Sequence, residues 1–308
     1  MTRLTLRDLV AAGGRGLARY TGTLLAVFVV ESLIAAAIML GAFFVLSRAF
    51  AMLPMFDEGV DGDPVALMYC IRHTPSALLA TIGLVSGGLF VWQLISWFLA
   101  GGLNAVFAQR PETRSETARV FGAGGTSTYL AYARLALLSL PSWGLAIMVF
   151  LMCARVAVPH MQHAVAFTDI IGPLALLIIP FALVMHIAWT VTDYTRVELS
   201  LRHESHDPSV LASYIRSVVF VLRRPLTLVH GAFGWILFGV ITLAYHAIAF
   251  DHPMYGVEGA LTLYVARQCV SLLRMAIRVG VMGGQVELGR TRALPPRRAP
   301  DDVASDST

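Results

Sequence analysis

Six apolar stretches of about 20 residues or more constrain this chain more than any other feature of its sequence. A helix rises about 1.5 Å per residue, so about 20 residues cross a hydrocarbon core about 30 Å thick. Because backbone groups inside lipid must be hydrogen-bonded within their own segment, each stretch is predicted to be helical. The predicted spans are residues 21–46, 77–103, 134–153, 170–192, 225–248 and 259–283. We therefore expect an all-α, polytopic integral membrane bundle of about six transmembrane helices.

The composition favours the same class of protein. Of the 308 residues, 57% are hydrophobic and only 14% are charged, whereas soluble domains carry roughly a quarter of charged residues. All basic residues other than histidine are arginine, which is typical of a GC-rich bacterial genome. The first apolar run exceeds the roughly 7–15 residues of a signal-peptide core, so it is interpreted as a retained helix.

The distribution of arginine predicts the orientation. Cytoplasmic loops of membrane proteins carry an excess of basic residues. Arginines concentrate before the first span, between the second and third, between the fourth and fifth, and after the sixth. The other three loops carry acidic residues and only Arg48, Arg72 and Arg155. Both termini are therefore predicted to be cytoplasmic, in a bacterial inner membrane. Because the basic charge lies between apolar runs, it indicates the membrane surface, and no nucleic acid is expected as a partner.

Three similar units are predicted within a single membrane domain, 1–294. The even-numbered spans end in similar arginine-terminated segments, and Val-Glu-Leu occurs in two of them, at 197–199 and 286–288. The alternative is that any hairpin ends in arginine on the cytoplasmic side. The shared tripeptide favours a repeat, with units 1–110, 111–202 and 203–294. The tail, 295–308, is predicted to be disordered.

Each odd-numbered span follows an amphipathic, arginine-bearing segment, at 6–20, 118–132 and 210–224. In the third segment, Ile215, Val218, Val219 and Leu222 share one helical face. Such helices lie in the headgroup plane with their apolar side in the membrane and arginine toward anionic lipid. We therefore expect three cytoplasmic interfacial amphipathic helices.

Two segments in the second half of the chain carry a family resemblance. They are residues 193–196 (DYTR), which close the fourth span, and residues 217–225 (SVVFVLRRP), which lead into the fifth. With the alternating amphipathic segments and spans, they resemble the membrane domain associated with glycerophosphodiester phosphodiesterases and related stand-alone bacterial six-helix proteins. The resemblance implies a helical membrane fold. It does not extend to a phosphodiesterase catalytic domain, so it implies no activity.

Polar residues inside the spans form the candidate site. In the sixth span and just after it, one helical face carries Arg267, Ser271, Arg274, Arg278 and Gln285. Charges at membrane depth normally face protein or water. Counting back from the arginine-rich ends places polar residues of other spans near the depth of Arg274. We predict a mid-membrane polar cluster that comprises Glu31, Gln93, Ser142, His186, Arg267, Ser271, Arg274 and Arg278.

Two interpretations of this cluster stay open. In the first, Glu31 pairs with Arg274 or Arg278 and fixes helix register, while Gln93 and His186 bind the remaining donors. In the second, the surplus of arginine over glutamate forms a site for phosphate, a lipid headgroup or a carboxylate.

No catalytic triad, paired carboxylates or metal-ligand spacing is found in the sequence, so we expect no enzyme, no cofactor and no metal. The leading hypothesis is a non-enzymatic accessory or lipid- or anion-handling membrane component. Its expected partners are the lipid bilayer, anionic phospholipid headgroups and another membrane protein. The alternative is a small-solute transporter that uses the mid-membrane cluster.

Overall fold

The computed structural model describes residues 4–51, 53, 64–162, 166–202, 209–251 and 256–293. These residues form nine α-helices and no strand. The helices are α1 (Leu6–Arg19), α2 (Thr21–Phe50), α3 (Pro64–His73), α4 (Pro75–Gln109), α5 (Arg114–Gln162), α6 (Phe167–Leu201), α7 (Val210–Arg223), α8 (Pro225–Asp251) and α9 (Gly256–Ala293). The tail, 295–308, for which disorder is predicted, lies outside the described residues.

Six of these helices, α2, α4, α5, α6, α8 and α9, are long and apolar enough to cross a membrane. They coincide with the six predicted spans, so the prediction of an all-α bundle is confirmed. Large apolar side chains on them are exposed, such as Leu137 at 70%, Ile179 at 64% and Leu243 at 71%. Because such surfaces are stable in lipid and not in water, the chain is a multi-pass membrane protein in a lipid bilayer.

Two of the three predicted amphipathic segments are separate helices of 14 residues, α1 and α7. The N-terminus of α1 has a capping box, in which the side chains of Thr5 and Asp8 each bind the other's backbone N–H. The C-terminus of α7 is set by Pro225, which lacks an N–H and keeps Arg224 out of helical conformation, at φ −127° and ψ 88°.

The third predicted segment, 118–132, is not a separate helix. It is the first part of α5, which runs without interruption through 49 residues from Arg114 to Gln162. Pro225 follows α7, and Tyr20, at φ −112° and ψ 30°, interrupts the chain after α1, whereas no such break follows the segment 118–132. Pro141 and Pro159 do occur later in α5 and are accommodated inside it. At about 1.5 Å per residue, α5 is far longer than a hydrocarbon core is thick.

The chain divides into two compact units, one of residues 25–99 and one of residues 1–24 and 100–308. In the unit 25–99, α2 packs closely against α4. A Cβ atom added to Gly88 would lie 2.5 Å from the Ile38 side chain, and one added to Gly41 would lie 3.1 Å from Leu84. Small residues therefore allow these two helices to approach each other, as is common between membrane helices.

In the larger unit, three segments pack against ends of membrane helices through small residues. Helix α1 packs on α9, where a Cβ atom on Gly13 would overlap the carbonyl oxygen of Gly280. The beginning of α5 packs on the end of α4, where a Cβ atom on Gly124 would overlap Ala105. Helix α7 packs on α6 through Ser213 and Ser217, which are fully buried. The predicted threefold repeat itself stays a prediction.

Candidate functional site

Six residues of the predicted polar cluster lie in the larger unit, and three of them, Ser142, His186 and Arg274, bind different neighbours. Ser142 on α5 donates to the Ser139 carbonyl oxygen at 2.7 Å and accepts from the Tyr214 hydroxyl of α7 at 3.2 Å. His186 on α6 directs Nε2 at the carbonyl oxygen of Leu228 in α8, at 3.0 Å. Since a carbonyl only accepts, the proton is on Nε2.

Arg274 on α9 is held by α8. Its Nη2 donates to Oγ1 of Thr242 at 2.5 Å, and its guanidinium lies over the ring of Phe238, 4.7 Å from the centroid. Ser142, His186 and Arg274 therefore each join a different pair of helices. This is the behaviour expected of polar groups that hold membrane helices together.

The other predicted residues are distributed as follows. Glu31 and Gln93 are half-buried in the unit 25–99, and their proximity to the arginines of α9 stays a prediction. Arg267, Ser271 and Arg278 are exposed along α9. Arg278 is close enough to Asp193 of α6 to interact with it electrostatically.

Asp193 is a polar residue that the sequence-based site omits. Its carboxylate accepts from Nη1 of Arg196 at 3.3 Å and from Nε2 of Gln285 at 3.5 Å, and it also binds the side chain of Trp189. The sequence does contain a signal, because Asp193 follows His186 by seven residues and shares its helical face. Asp193 lies near the end of the span, away from the mid-membrane depth at which the cluster is predicted.

An apolar groove of about 530 Å³ lies between α6 and α8. It is lined by Phe181, Ala182, Met185, His186, Trp189, Ala232, Trp235 and Ile236. Residues Ala182, His186, Trp189 and Asp193 share one face of α6, so the groove is followed along this helix by the Asp193 carboxylate. One end of the apolar groove is therefore charged. At this end Arg196, Arg278 and Gln285 all interact with the Asp193 carboxylate.

Aromatic rings form one wall of the groove and extend from it in both directions. The ring of Trp189 contacts that of Trp143 of α5 edge to face, with centroids 5.8 Å apart, and that of Trp235 of α8 at 5.7 Å. Trp235 in turn contacts Phe238 at 5.9 Å, and Phe238 carries the Arg274 guanidinium on its face. Edge-to-face pairs of this kind are each worth about 1 kcal/mol beyond burial, so the groove wall is rigid.

A second group of charges lies at the arginine-rich end of the larger unit. Glu198 of α6 is buried and pairs with Arg202 of α6 and Arg216 of α7. Glu287 of α9 pairs with Arg110, which follows α4, and with Arg290. Both glutamates belong to the Val-Glu-Leu tripeptides, and both bind one arginine of their own helix and one from elsewhere in the unit.

The fold and the site together define a multi-pass α-helical membrane protein whose polar side chains join its helices around an apolar groove. No protein-family model, curated protein or solved structure matches the chain. The resemblance carried by residues 193–196 and 217–225 therefore stays a prediction.

Proposed function

We propose that this protein is a non-enzymatic membrane component that binds an anionic lipid, with one acyl chain in the groove between α6 and α8. The observation that carries the proposal is the groove itself, with its apolar wall and its charged end at Asp193. A volume of about 530 Å³ lies within the roughly 300–1,000 Å³ range of small-molecule sites.

The chemistry of the lining favours a hydrocarbon chain. All lining side chains except His186 are apolar or aromatic, and His186 already donates to the Leu228 carbonyl. Trp235 and Ile236 are 49% and 63% exposed, so the groove opens on the apolar surface of the helices. A chain can enter from the bilayer without crossing water.

The charged end favours a negative headgroup. Two guanidinium groups interact with the single carboxylate of Asp193. Arg196 forms an ion pair with it, and Arg278 interacts with it electrostatically. Two guanidinium groups beside one carboxylate favour an anion nearby, since guanidinium groups bind phosphate strongly and directionally. Arg278 is exposed and supplies the side chain that would meet the headgroup.

The proposal includes the setting of the protein. We place the arginine-rich end at the cytoplasmic face of a bacterial inner membrane, with both termini cytoplasmic, as the arginine distribution predicts. We also propose a threefold repeat, 1–110, 111–202 and 203–294. The repeat is supported by the packing of the three amphipathic segments on the even-numbered spans. The start of α5 packs on α4 (the second span), α7 packs on α6 (the fourth span), and α1 packs on α9 (the sixth span).

Lipid retention tests the groove. We would purify the full chain in mild detergent, count bound lipids by native mass spectrometry, and compare Ala232→Leu and Ala182→Leu, which narrow the groove. We expect both variants to lose a retained anionic lipid, and Arg278→Gln to keep a lipid with reduced preference for anionic headgroups. The matched control is Ala36→Leu, at an exposed position of α2. Unchanged lipid retention in both Ala182→Leu and Ala232→Leu would refute the proposal.

A further inference from the structure

The hydroxyl group of Tyr194 makes no hydrogen bond within the part of the chain that the structure describes. Tyr194 lies on α6 and is 2% exposed, and its Oη is buried without a hydrogen bond among the described residues. A buried hydroxyl without a partner destabilises a protein, so nearly all such groups bind something. The ring itself is well packed, 5.3 Å from that of Phe220 of α7.

Tyr194 lines a pocket of about 10 Å³ where α6, α7 and α9 meet. The other lining residues are Val197, Glu198, Leu201, Arg202, Phe220 and Gly289. This volume admits roughly one water-sized group. The pocket can therefore receive a single oxygen atom, but not a whole ligand.

Charged groups of both signs lie around this pocket. Arg202 lines it, and Arg202 and Arg216 place Nε at 3.2 Å and 2.7 Å from the same oxygen of Glu198. Arg224 lies over the ring of Phe220, 5.0 Å from its centroid, and is close enough to the Tyr194 hydroxyl to interact with it electrostatically. The Asp193 carboxylate also acts on this hydroxyl, and Arg196 and Arg278 act on Asp193 in turn.

The side of α7 that faces away from the pocket is apolar. Four side chains on this side are exposed, namely Leu211 at 53%, Ile215 at 54%, Val219 at 41% and Leu222 at 63%. The opposite side of α7, which includes Phe220, packs on α6 and lines the pocket. The apolar side therefore faces outward, as in an interfacial helix, and this places the pocket near a membrane surface.

We propose that Tyr194, Arg202 and Arg224 bind a phosphoryl oxyanion. One phosphoryl oxygen enters the pocket and accepts the Tyr194 O–H, and the negative charge meets Arg202 and Arg224. Charge-assisted bonds to an oxyanion are stronger than those to water. The ligand is a phosphate group, whether free or carried by a lipid. This site is distinct from the groove between α6 and α8, and it does not depend on a lipid chain binding there.

The experiment uses Tyr194→Phe, which deletes only the hydroxyl. We would titrate inorganic phosphate into the purified full chain by calorimetry, and measure lipid binding in phosphatidylcholine nanodiscs with and without phosphatidylglycerol. Loss of a bond to a charged group weakens binding about tenfold or more, so we expect that loss in Tyr194→Phe. Its unfolding temperature should be unchanged or higher, because no internal hydrogen bond is removed. Tyr264→Phe, at a side chain that is 61% exposed, is the matched control.

A second variant, Arg224→Gln, alters an exposed side chain and leaves the core intact. We expect it to weaken the same binding event as Tyr194→Phe. Binding of inorganic phosphate that needs Tyr194 identifies a free anion, and binding seen only with phosphatidylglycerol identifies a lipid headgroup. Equal binding by the native protein and Tyr194→Phe in both formats would overturn the proposal and leave the pocket to a water molecule. Failure of the native protein to bind either probe would overturn it as well.

Discussion

Arg216 of α7 donates its Nε–H to Oε1 of Glu198 of α6 at 2.7 Å, and this bond attaches the amphipathic helix to the membrane bundle. The Glu198 side chain is only 6% exposed. Ser217, one residue further along α7, donates to Oε2 of the same carboxylate at 3.5 Å. A single glutamate therefore holds one face of α7 while the opposite, apolar face stays outward.

Replacement of this carboxylate should loosen α7. Glu198→Gln removes the carboxylate with which Arg202 and Arg216 pair, and we expect the free energy of unfolding to fall by roughly 2 kcal/mol. That value lies between those of exposed and fully buried pairs, since the two arginine side chains are 35% and 38% exposed. The measurement is thermal or denaturant unfolding of the purified protein in detergent.

The control for this prediction is Glu287→Gln. Its pair with Arg110 has side chains that are 34% and 54% exposed, so its loss should cost less than about 1 kcal/mol. Equal losses in the two variants would contradict the role assigned to Glu198.

The close approach of α1 to α9 depends on Gly13. We expect Gly13→Ala to force the helices apart and to destabilise the protein by about 1–3 kcal/mol, because its Cβ would overlap the Gly280 backbone. Gly14→Ala is the control on the same helix, since nothing lies within 4 Å of a Cβ there. The better helix propensity of alanine should leave Gly14→Ala at least as stable as the native protein. Amide exchange of α1, measured by mass spectrometry, should rise only in Gly13→Ala.

The sequence predicts the six spans because hydropathy is a local property that lipid enforces on each segment. It predicts the orientation of α7 about its own axis only in part. Of the four apolar residues predicted to share a face, Ile215, Val219 and Leu222 are exposed in the structure, whereas Val218 is half-buried against the core. The start of α5 differs, since amphipathicity alone does not end a helix. Pro225 supplies a break after α7, and no equivalent proline follows residue 132.

The partners of the polar residues are harder to predict, because they depend on which helices become neighbours. Depth along a helix singles out Ser142, His186 and Arg274 in the sequence, and in the structure each of them binds a residue of another helix. Their partners are a tyrosine hydroxyl, a backbone carbonyl and a threonine hydroxyl. None of these partners carries a charge, so a search for opposite charges does not find them. Asp193 was missed because it lies near the end of its span, and the cluster was predicted from residues at mid-membrane depth.

Thr242 should stabilise the position of Arg274. We expect Thr242→Val to reduce the free energy of unfolding by about 1–2 kcal/mol, because Arg274 loses its acceptor while the side-chain volume is kept. Thr126→Val is the matched control. Thr126 makes the same bond to a backbone carbonyl four residues earlier, but it is exposed and binds no arginine among the described residues. A similar effect of both substitutions on unfolding would show that the Arg274 bond contributes nothing.

The first turn of α1 should respond to acid. Hydrogen bonds from the Thr5 backbone and hydroxyl hold the pKa of Asp8 below its ordinary value of 3.8. A lowered pKa in the folded state means that the stabilisation is present above about pH 4 and is lost as pH falls through the folded value. Protection factors of the first-turn amides, corrected for intrinsic exchange, should fall over that range. Asp8→Asn should have low protection at every pH, and a pH response that persists in this variant would contradict the assignment.

Access of water to the polar face of α9, which carries Ser271 and Arg278, distinguishes the two functional hypotheses, a lipid-binding component and a transporter. Cysteine thiols react with polar reagents only where water exposes them as thiolate. With Cys70, Cys153 and Cys269 replaced, single cysteines at Ser142, Ser271 and Arg278 would be treated with a membrane-impermeant thiol reagent from each side. Ser115→Cys and Gln162→Cys, near opposite ends of α5, calibrate the two sides. We expect Arg278→Cys to react from the side of Ser115, because it lies beside the charged group at Asp193.

We expect the cysteines at 142 and 271 to be protected from both sides. Ser142 is hydrogen-bonded between α5 and α7, and Ser271 lies within a candidate membrane span. Lipid in contact with α9 would exclude the reagent there. Reaction at both positions from either side would instead require a water-filled path at membrane depth. A small-solute transporter needs such a path and a lipid-binding component does not, so that result would replace the proposed function with the transporter.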